Sequence, residues 1–247
     1  MNIETIFNQG LSYIFKLKDM DKAIEAFTDV IKMDPNLSPA FLNRGNCYFK
    51  KGLYDEAIHD YDTTLSFRPD EIETYKFREW IVYFKNWAKD HPNHMEINDL
   101  VHQAIESAWE KDYNNALEYF EKILHICSDN AFVYYQRGLL YASIDQNVKA
   151  INDLSETIKL VPIIAAVYYD RGNLLREQEM YDKALEDYNM AIQLYPKFSD
   201  AFCNRGIIYF LKKNYELAFE DYKTTLEINP HDDDARNNLI KVVKYLK

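Results

Sequence analysis

The stretch VYYDRGNLLREQEMYDKALEDYNMAIQLYP, residues 167–196, decides how this chain is organised. Its second half carries apolar residues at intervals of three and four, the period of an amphipathic helix. Gly172 lies in the first half, Ala184 in the second, and Pro196 follows the last apolar turn, where proline stops a helix. The acidic residue in EMYDKA suits the first turn of the second helix, since the helix dipole favours negative charge there. The stretch therefore predicts two helices joined by a short turn.

The same pattern returns at a fixed interval, which we call the repeat period. Pro35 and Pro69 are separated by one period, and Pro162, Pro196 and Pro230 repeat it. Small residues keep the same spacing, and they are listed here: Ala23 and Ala57; Ala116, Ala150, Ala184 and Ala218; Gly138, Gly172 and Gly206. A fixed period of this length is the signature of a repeat architecture, in which each unit buries its apolar face against its neighbours.

The residues 40–69, AFLNRGNCYFKKGLYDEAIHDYDTTLSFRP, carry the pattern nearly throughout. Gly45 is followed by an aromatic residue at Tyr48, and Ala57 by one at Tyr61. This arrangement resembles the tetratricopeptide repeat family. The resemblance implies an all-α fold, a right-handed α-solenoid of stacked helix-turn-helix repeats.

Six repeats are predicted, at residues 3–37, 38–71, 97–130, 131–164, 165–198 and 199–232. The first contains one extra residue between Gly10 and Ala23. The third is degenerate, because Ala104, Ser107 and Ser128 replace its glycine, aromatic residue and proline. The predicted organisation is thus repeats at 1–71, an inserted segment at 72–96, repeats at 97–232, and a capping helix at 233–247 with a polar outer face.

The inserted segment contains FREWIVYFKNW, residues 77–87. Residues 72–89 predict one helix, whose apolar stripe consists of Phe77, Trp80, Ile81, Phe84, Trp87 and Ala88. Its charges balance, whereas a helix lying on a membrane surface usually carries a basic excess. The segment begins like the first helix of a repeat and then lacks a second one. We expect a joint that caps the second repeat and packs on the third, with a docking surface as the alternative.

The composition argues against several classes of function, among them nucleic-acid binding and membrane insertion. The formal net charge of −11 argues against a nucleic-acid partner, which would need a basic patch. No apolar run approaches the length of a membrane span, and the beginning of the sequence lacks the basic start of a signal peptide. Cys47, Cys127 and Cys203 are widely separated, which favours reduced thiols. We expect a cytoplasmic protein with no membrane and no nucleic-acid partner.

Enzyme motifs are missing from the sequence: there is no glycine-rich phosphate loop, nucleophile elbow or HExxH zinc motif. His91, His94 and His102 form the one cluster that could suggest a metal-dependent enzyme or a small-molecule sensor. His91 and His94 flank a turn, and no cysteine or carboxylate completes a ligand set at suitable spacing. We therefore expect neither catalysis nor a cofactor nor a metal, and keep the histidine cluster as a remote alternative.

A second set of residues recurs with the repeats. An arginine precedes the glycine, and an aspartate follows sixteen residues later. The four predicted pairs are Arg44 and Asp60, Arg137 and Asp153, Arg171 and Asp187, and Arg205 and Asp221. Since sites rarely recur in identical form in every repeat, we interpret these as structural ion pairs between the two helices.

The family resemblance also implies a concave groove lined by the first helices. The positions carried over are Leu42, Asn46, Phe49, Val101, Ile105, Trp109, Phe132, Tyr135, Leu139, Tyr169, Asn173, Arg176, Cys203, Ile207 and Phe210. Some family members hold a C-terminal carboxylate with lysines and asparagines on this face. Here only Asn46 and Asn173 match, so that mode of binding is not expected. The positions are mostly apolar and aromatic, which is typical of an interaction surface. The alternative is that a tight superhelix buries part of this face as core.

These observations lead to one expected function and two alternatives. We expect a non-catalytic scaffold or adaptor whose apolar groove binds an extended peptide or an amphipathic helix of a partner protein. The first alternative is a self-assembling homo-oligomer, and the second is the metal-dependent enzyme or sensor at the histidines.

Overall fold

The computed structural model describes residues 2–246, apart from the side chain of Met95. All regular secondary structure in these residues is helical. The chain divides into two compact units, and the boundary falls between His91 and Pro92. No helix in the described part of the chain is both long and apolar enough to cross a membrane.

The first unit contains five helices in its described residues. Their bounds are α1 (Ile3–Ser12), α2 (Met20–Met33), α3 (Ser38–Lys50), α4 (Tyr54–Phe67) and α5 (Ile72–Asp90). Helix α1 packs on α2, and α3 packs on α4, so each predicted repeat is a pair of adjacent helices. Helix α3 also packs on α2, and α5 on α4, which joins the pairs into a stack.

The second unit contains nine helices in the part of it that the structure describes. Their bounds are α6 (His94–Trp109), α7 (Tyr113–Ile126), α8 (Ala131–Ser143), α9 (Asn147–Leu160), α10 (Ala165–Glu177), α11 (Tyr181–Leu194), α12 (Ser199–Leu211), α13 (Tyr215–Ile228) and α14 (Asp233–Val243). The first eight form four pairs, each pair packs on the next, and α14 packs on α13. The predicted all-α architecture of helix-turn-helix repeats is confirmed.

In the fifth and sixth repeats, the packing of the first helix on the second requires glycine at one position of the first helix. A Cβ atom at Gly172 would lie 2.9 Å from Cε1 of Tyr188, and one at Gly206 would lie 2.8 Å from Cε1 of Tyr222. Real Cβ atoms do not approach other carbon atoms so closely, because the repulsion would force the helices apart. The glycine and the tyrosine therefore fix the distance between the two helices together.

The extra residue of the first repeat is absorbed by a wider helical turn. Helix α1 continues into a π-helical turn at Tyr13–Leu17, which ends at Lys18. Such a turn holds one more residue than an α-helical turn, so it accommodates an insertion without shifting the residues on either side. Gly10 consequently still faces Phe27 of α2.

A left-handed residue ends the first helix of every predicted repeat. These residues have positive φ angles and are Lys18, Gly52, Lys111, Asp145, Glu179 and Lys213. Only Gly52 adopts this conformation without steric cost, since a Cβ atom clashes with the following carbonyl oxygen in a left-handed backbone. The turn geometry is thus set by the repeat and not by the local sequence.

Helix α5 occupies the segment in which one helix was predicted. Trp80, Ile81, Phe84 and Trp87 of its apolar stripe are buried. Ile81 packs with Ala57 and Tyr61 of α4, and the ring of Phe84 lies 5.7 Å from that of Phe49. Phe77, the first residue of this apolar stripe, is 49% exposed. Within the first unit, α5 takes the place of the first helix of a third repeat.

Helix α14 differs from the expected polar cap. Ile240 and Val243 are three residues apart and therefore share one face, and both are exposed. Ala235 and Val242 lie on the buried side and join the cluster around Tyr222 of α13. The inner face of α14 thus packs on the core of the second unit, whereas its outer face carries apolar side chains.

Replacing Gly52 by alanine should lower the free energy of unfolding by about 1 kcal/mol, because alanine strains a backbone with φ of 72°. Nothing lies within 4 Å of the added Cβ, so the cost comes from the backbone alone. Replacing Glu179 by glycine should instead stabilise the protein by about 0.5 kcal/mol. Urea unfolding of both variants measures the two changes in the free energy of unfolding. Changes of the same sign would contradict the prediction.

Replacing Trp80 by alanine should destabilise the protein by roughly 3–5 kcal/mol, because the change leaves a large cavity among buried rings. Phe77→Ala on the same helix is the matched control and should cost far less, since half of that side chain is exposed. Urea unfolding followed by circular dichroism measures both. Similar losses for the two variants would show that Trp80 does not pack as described.

Candidate functional site

The recurring arginines are held by bidentate ion pairs. In the fifth repeat, Nε and Nη2 of Arg171 donate to the two carboxylate oxygens of Asp187 at 2.8 and 2.6 Å. Arg44 binds Asp60 at 2.8 and 2.7 Å in the same way. The remaining two pairs, Arg137 with Asp153 and Arg205 with Asp221, have the same geometry. The structure thus brings together all four pairs named from the sequence.

Three of these arginines also reach the preceding repeat. The Nη1 atom of Arg171 donates to the hydroxyl oxygen of Ser155 on α9 at 3.0 Å. Arg44 reaches Thr28 on α2 at 3.1 Å, and Arg205 reaches Asn189 on α11 at 2.7 Å. These acceptors lie sixteen residues before the arginine, a spacing that the repeat period could have revealed. One guanidinium therefore links three helices, two of its own repeat and one of the repeat before.

Burial acts against the charges in these pairs. It raises the pKa of Asp187 and of Asp221, while the hydrogen bonds from Arg171 and Arg205 act in the opposite direction. The cost of removing a carboxylate from water competes here with the attraction of its partner. The aspartates are buried within the repeat, which supports the interpretation of these pairs as structural.

A second series of ion pairs lies on the surface and was not predicted. Lys212 at the end of α12 pairs with Asp182 in the first turn of α11 at 2.5 Å. Lys51 pairs with Asp21, and Lys85 with Asp55, over the same separation in sequence. All three pairs are solvent-exposed and contribute little, about 0.2–1 kcal/mol each.

The predicted groove positions fall on five first helices, one in the first unit and four in the second. In the first unit, Leu42, Asn46 and Phe49 lie on α3. All three are partly buried, and Tyr61 donates a hydrogen bond to the side-chain oxygen of Asn46. The ring of Phe49 lies 6.1 Å from that of Tyr54.

In the second unit, three of the twelve positions are core residues. Tyr135 is fully buried, and its hydroxyl donates to Asp170 at 2.7 Å. Val101 and Cys203 are also buried. The expectation that these side chains form an open surface is therefore wrong, because the close stacking of neighbouring repeats covers this position of the first helix.

The asparagine of α10 is committed to the fold. Asn173 accepts a hydrogen bond from the Tyr188 hydroxyl at 2.7 Å and another from Asn204 of α12 at 2.8 Å. Asn204 also donates to the Tyr169 hydroxyl at 3.2 Å. This network ties α10 directly to α12 and leaves the Asn173 side-chain oxygen little capacity for a ligand.

The other groove positions of the second unit keep access to solvent. Partly exposed side chains at these positions are Ile105, Phe132, Leu139, Tyr169, Asn173, Arg176, Ile207 and Phe210. Trp109, the last residue of α6, is 85% exposed. The first helices of this unit thus present a largely apolar face, which we call the first-helix face.

The histidines predicted as a remote alternative do not form a compact set on α6. His94 and His102 are eight residues apart on this one helix, which separates them by roughly 12 Å along its axis. Both cannot bind one metal ion over that distance. In the first unit, His91 stacks on Trp87 with ring centroids 4.2 Å apart, and its Nδ1 lies 2.9 Å from the Trp87 carbonyl oxygen.

Breaking one ion pair tests the structural interpretation. Arg171→Met should lower the free energy of unfolding by roughly 3–5 kcal/mol, since it leaves the Asp187 carboxylate buried without its partner. The control Lys212→Met removes an exposed pair and should cost less than about 1 kcal/mol. Urea unfolding measures both variants, and a small effect at Arg171 would contradict the proposed role.

The repeats match known family models. Two models described as tetratricopeptide repeat match this chain, one at residues 38–71, 165–198 and 199–232, and the other at 3–37. These bounds coincide with four of the six repeats predicted from the sequence.

Curated relatives share part of this chain. Human DnaJ homolog subfamily C member 3 is 28% identical over 138 residues, which is 56% of this chain and 25% of the relative. A TPR repeat-containing protein of Methanocaldococcus jannaschii is 22% identical over 164 residues, 64% of this chain and 26% of the relative. The chain therefore spans about a quarter of the length of these relatives.

Two solved structures share the fold. The APC/C hetero-tetramer Cut9–Hcn1 aligns with a TM-score of 0.51 and 20% identity, over 98% of this chain and 43% of that one. The TPR protein YrrB aligns with a TM-score of 0.50 and 22% identity, over 87% of this chain and 98% of that one. Since the family models cover more than half of the residues, this chain belongs to the tetratricopeptide repeat family.

Proposed function

We propose that the chain is a non-catalytic interaction scaffold whose first-helix face binds an extended peptide or an amphipathic helix of a partner protein. The observation that carries the proposal is the row of partly exposed apolar side chains on successive first helices of the second unit. An apolar surface that is repeated at a fixed spacing suits a ligand whose side chains also repeat along its length.

Trp109 supports this proposal most directly. A side chain of this size that is 85% exposed gains stability when a partner covers it, and tryptophan is enriched among the residues that dominate binding. Tyr169, Ile207 and Phe210 extend the apolar surface on α10 and α12. Membership of the family adds support, since the YrrB structure is described as having an unusual peptide-binding site.

The same reasoning places the corresponding surface of the first unit on α3. Leu42 and Phe49 are partly buried there, and both pack against the cluster around Tyr61. Their role in binding is proposed by analogy with the equivalent positions of the second unit.

Self-assembly is the second candidate, and the outer face of α14 favours it. Ile240 is 58% exposed and stands one repeat period after Gly206, at the position where a first helix normally meets its second helix. A second copy of the chain could cover this apolar face. Size-exclusion chromatography with light scattering over a range of concentrations tests the candidate, and a monomer at every concentration removes it.

The binding function is tested with a displayed library of random peptides selected on the purified chain. Peptides recovered from the selection should lose at least about tenfold in affinity when Trp109 and Ile207 are both replaced by alanine, because two anchoring contacts are removed. Fluorescence anisotropy measures the affinity, and circular dichroism verifies that the variant is folded.

Val148→Ala is the matched control for this experiment. Val148 is 72% exposed but lies on the second helix α9, so its loss should leave peptide affinity unchanged. The proposal is overturned when no peptide is selected, or when the control weakens binding as much as the variant of the first-helix face.

A further inference from the structure

The first-helix face has an acidic edge at α12, and α14, which follows the first helices in register, continues it. Asp200 lies in the first turn of α12, and Asp234 in the first turn of α14. The two residues are one repeat period apart, so they occupy the same position on neighbouring first helices. Asp232 caps the N-terminus of α14 beside them. In contrast, α8 and α10 carry no acidic residue in their first turns.

These carboxylates act electrostatically on Cys203 and Tyr169 of this face. Burial raises the pKa of the Cys203 thiol to about 12, and the negative charges of Asp232, Asp200 and Asp234 contribute to this shift. Burial also raises the pKa of Tyr169, and Asp200 and Asp170 add to the effect. The acidic edge is therefore close enough to act on groups of both α10 and α12.

The arginine of α14 does not neutralise Asp200 or Asp234. Arg236 pairs with Asp233 and donates to the carbonyl oxygen of Pro230 at 2.6 Å. Asp232 accepts a hydrogen bond from the Ala235 amide at 2.8 Å, as a helix cap does. Within the described residues, neither Asp200 nor Asp234 has an ion-pair partner.

The pKa of Asp200 reflects the absence of an ion-pair partner in the described residues. Its only side-chain hydrogen bond in the described part of the chain comes from the Ser199 hydroxyl at 3.3 Å. Asp200 is solvent-exposed, yet partial desolvation by the surrounding protein raises its pKa, and repulsion by Asp232 adds to this shift. An acid that merely stabilised its helix N-terminus would have its charged form favoured, and hence a lowered pKa. A cation placed beside Asp200 would relieve this penalty.

The opposite edge of the same face is basic. Arg176 near the end of α10 lies close to the Tyr188 hydroxyl, and Lys241 and Lys244 stand at the end of α14. Positions near the two ends of one first helix are separated by roughly 15 Å. Tyr169 of α10 lies between the two edges. On α12, Ile207 and Phe210 stand one repeat period before Lys241 and Lys244, so the apolar positions of α12 continue into the basic edge.

We propose that this part of the first-helix face binds a peptide that places apolar side chains against Tyr169, Ile207 and Phe210 and a lysine or arginine against Asp200 and Asp234. The inference rests on the proposed function and names the chemistry of its ligand. Charge complementarity of this kind selects among peptides with equally apolar anchors, since the wrong sign of charge is repelled.

Three synthetic peptide pools test the inference. All three carry apolar residues at alternating positions, and the intervening positions hold lysine, glutamate or serine. Fluorescence anisotropy with the full chain should show that the lysine pool binds at least about tenfold more tightly than the glutamate pool at physiological ionic strength. The double variant D200N/D234N should remove most of this preference and leave the affinity of the serine pool unchanged.

A matched control separates the local effect from the net charge of −11. The variant E216Q/E220Q removes the same two charges from exposed positions on the second helix α13. It should keep the preference for lysine. Asp232 stays intact in every variant because it caps α14. Circular dichroism and melting temperature verify that each variant is folded. If the double variant D200N/D234N does not fold, the single variant D234N replaces it in the binding measurement.

The outcomes distinguish this inference from the proposed function. Equal binding of the lysine and glutamate pools, or the same loss in both double variants, overturns the inference and leaves peptide binding in place. Failure of all three pools to bind, together with failure of the library selection, overturns both.

Discussion

The structure depends on the close approach of two helices at a glycine. In the fifth and sixth repeats a tyrosine ring of the second helix lies directly against the backbone at Gly172 and Gly206. Leu154 faces Gly138 in the same way. Once this contact fixes the distance between the helices, the arginine beside the glycine can reach the aspartate at the equivalent place on the second helix. In three repeats the same guanidinium also binds the preceding repeat, so packing inside one repeat and stacking between repeats follow from a single point of contact.

Helices α5 and α14 have no second helix of their own repeat in the described part of the chain, and both lack glycine at the contact position. Glu79 of α5 stands one repeat period after Gly45, and Ile240 of α14 stands one period after Gly206. Neither is a glycine, and no second helix of the same repeat approaches either position in the described residues. Arg78 precedes Glu79 as an arginine precedes each glycine, yet it binds Glu79 and Asp62 of α4. Arg78 therefore still binds the preceding helix α4, although the described residues contain no second helix of its own repeat for it to bind.

Equivalent positions of the first-helix face differ in whether the side chain is buried in the core or exposed to solvent. Tyr135 and Tyr169 occupy equivalent positions, but Tyr135 is fully buried and bonded to Asp170, whereas Tyr169 keeps partial exposure beside Phe198. One ring therefore belongs to the core, and the other remains accessible to a ligand. Acidic residues at one end of α12 and α14 and basic residues at the other end of α10 and α14 give the accessible part a direction. A peptide that binds there is expected to be selected by charge as well as by apolar anchors.

The sequence determined the fold, because one fixed repeat period carries both the helical pattern and the small residues at the helix contacts. It also identified the arginine and aspartate pairs, whose spacing follows from the same geometry. Local sequence did not reveal the left-handed turn residues at Lys111, Asp145, Glu179 and Lys213, since the repeat imposes a conformation that these residues do not prefer. Nor could it show that Tyr135 is buried while Tyr169 is partly exposed, or that Asp200 and Asp234 lack an ion-pair partner within the described residues. Burial and charge neutralisation depend on side chains from other helices, and only the tertiary structure decides which of these meet.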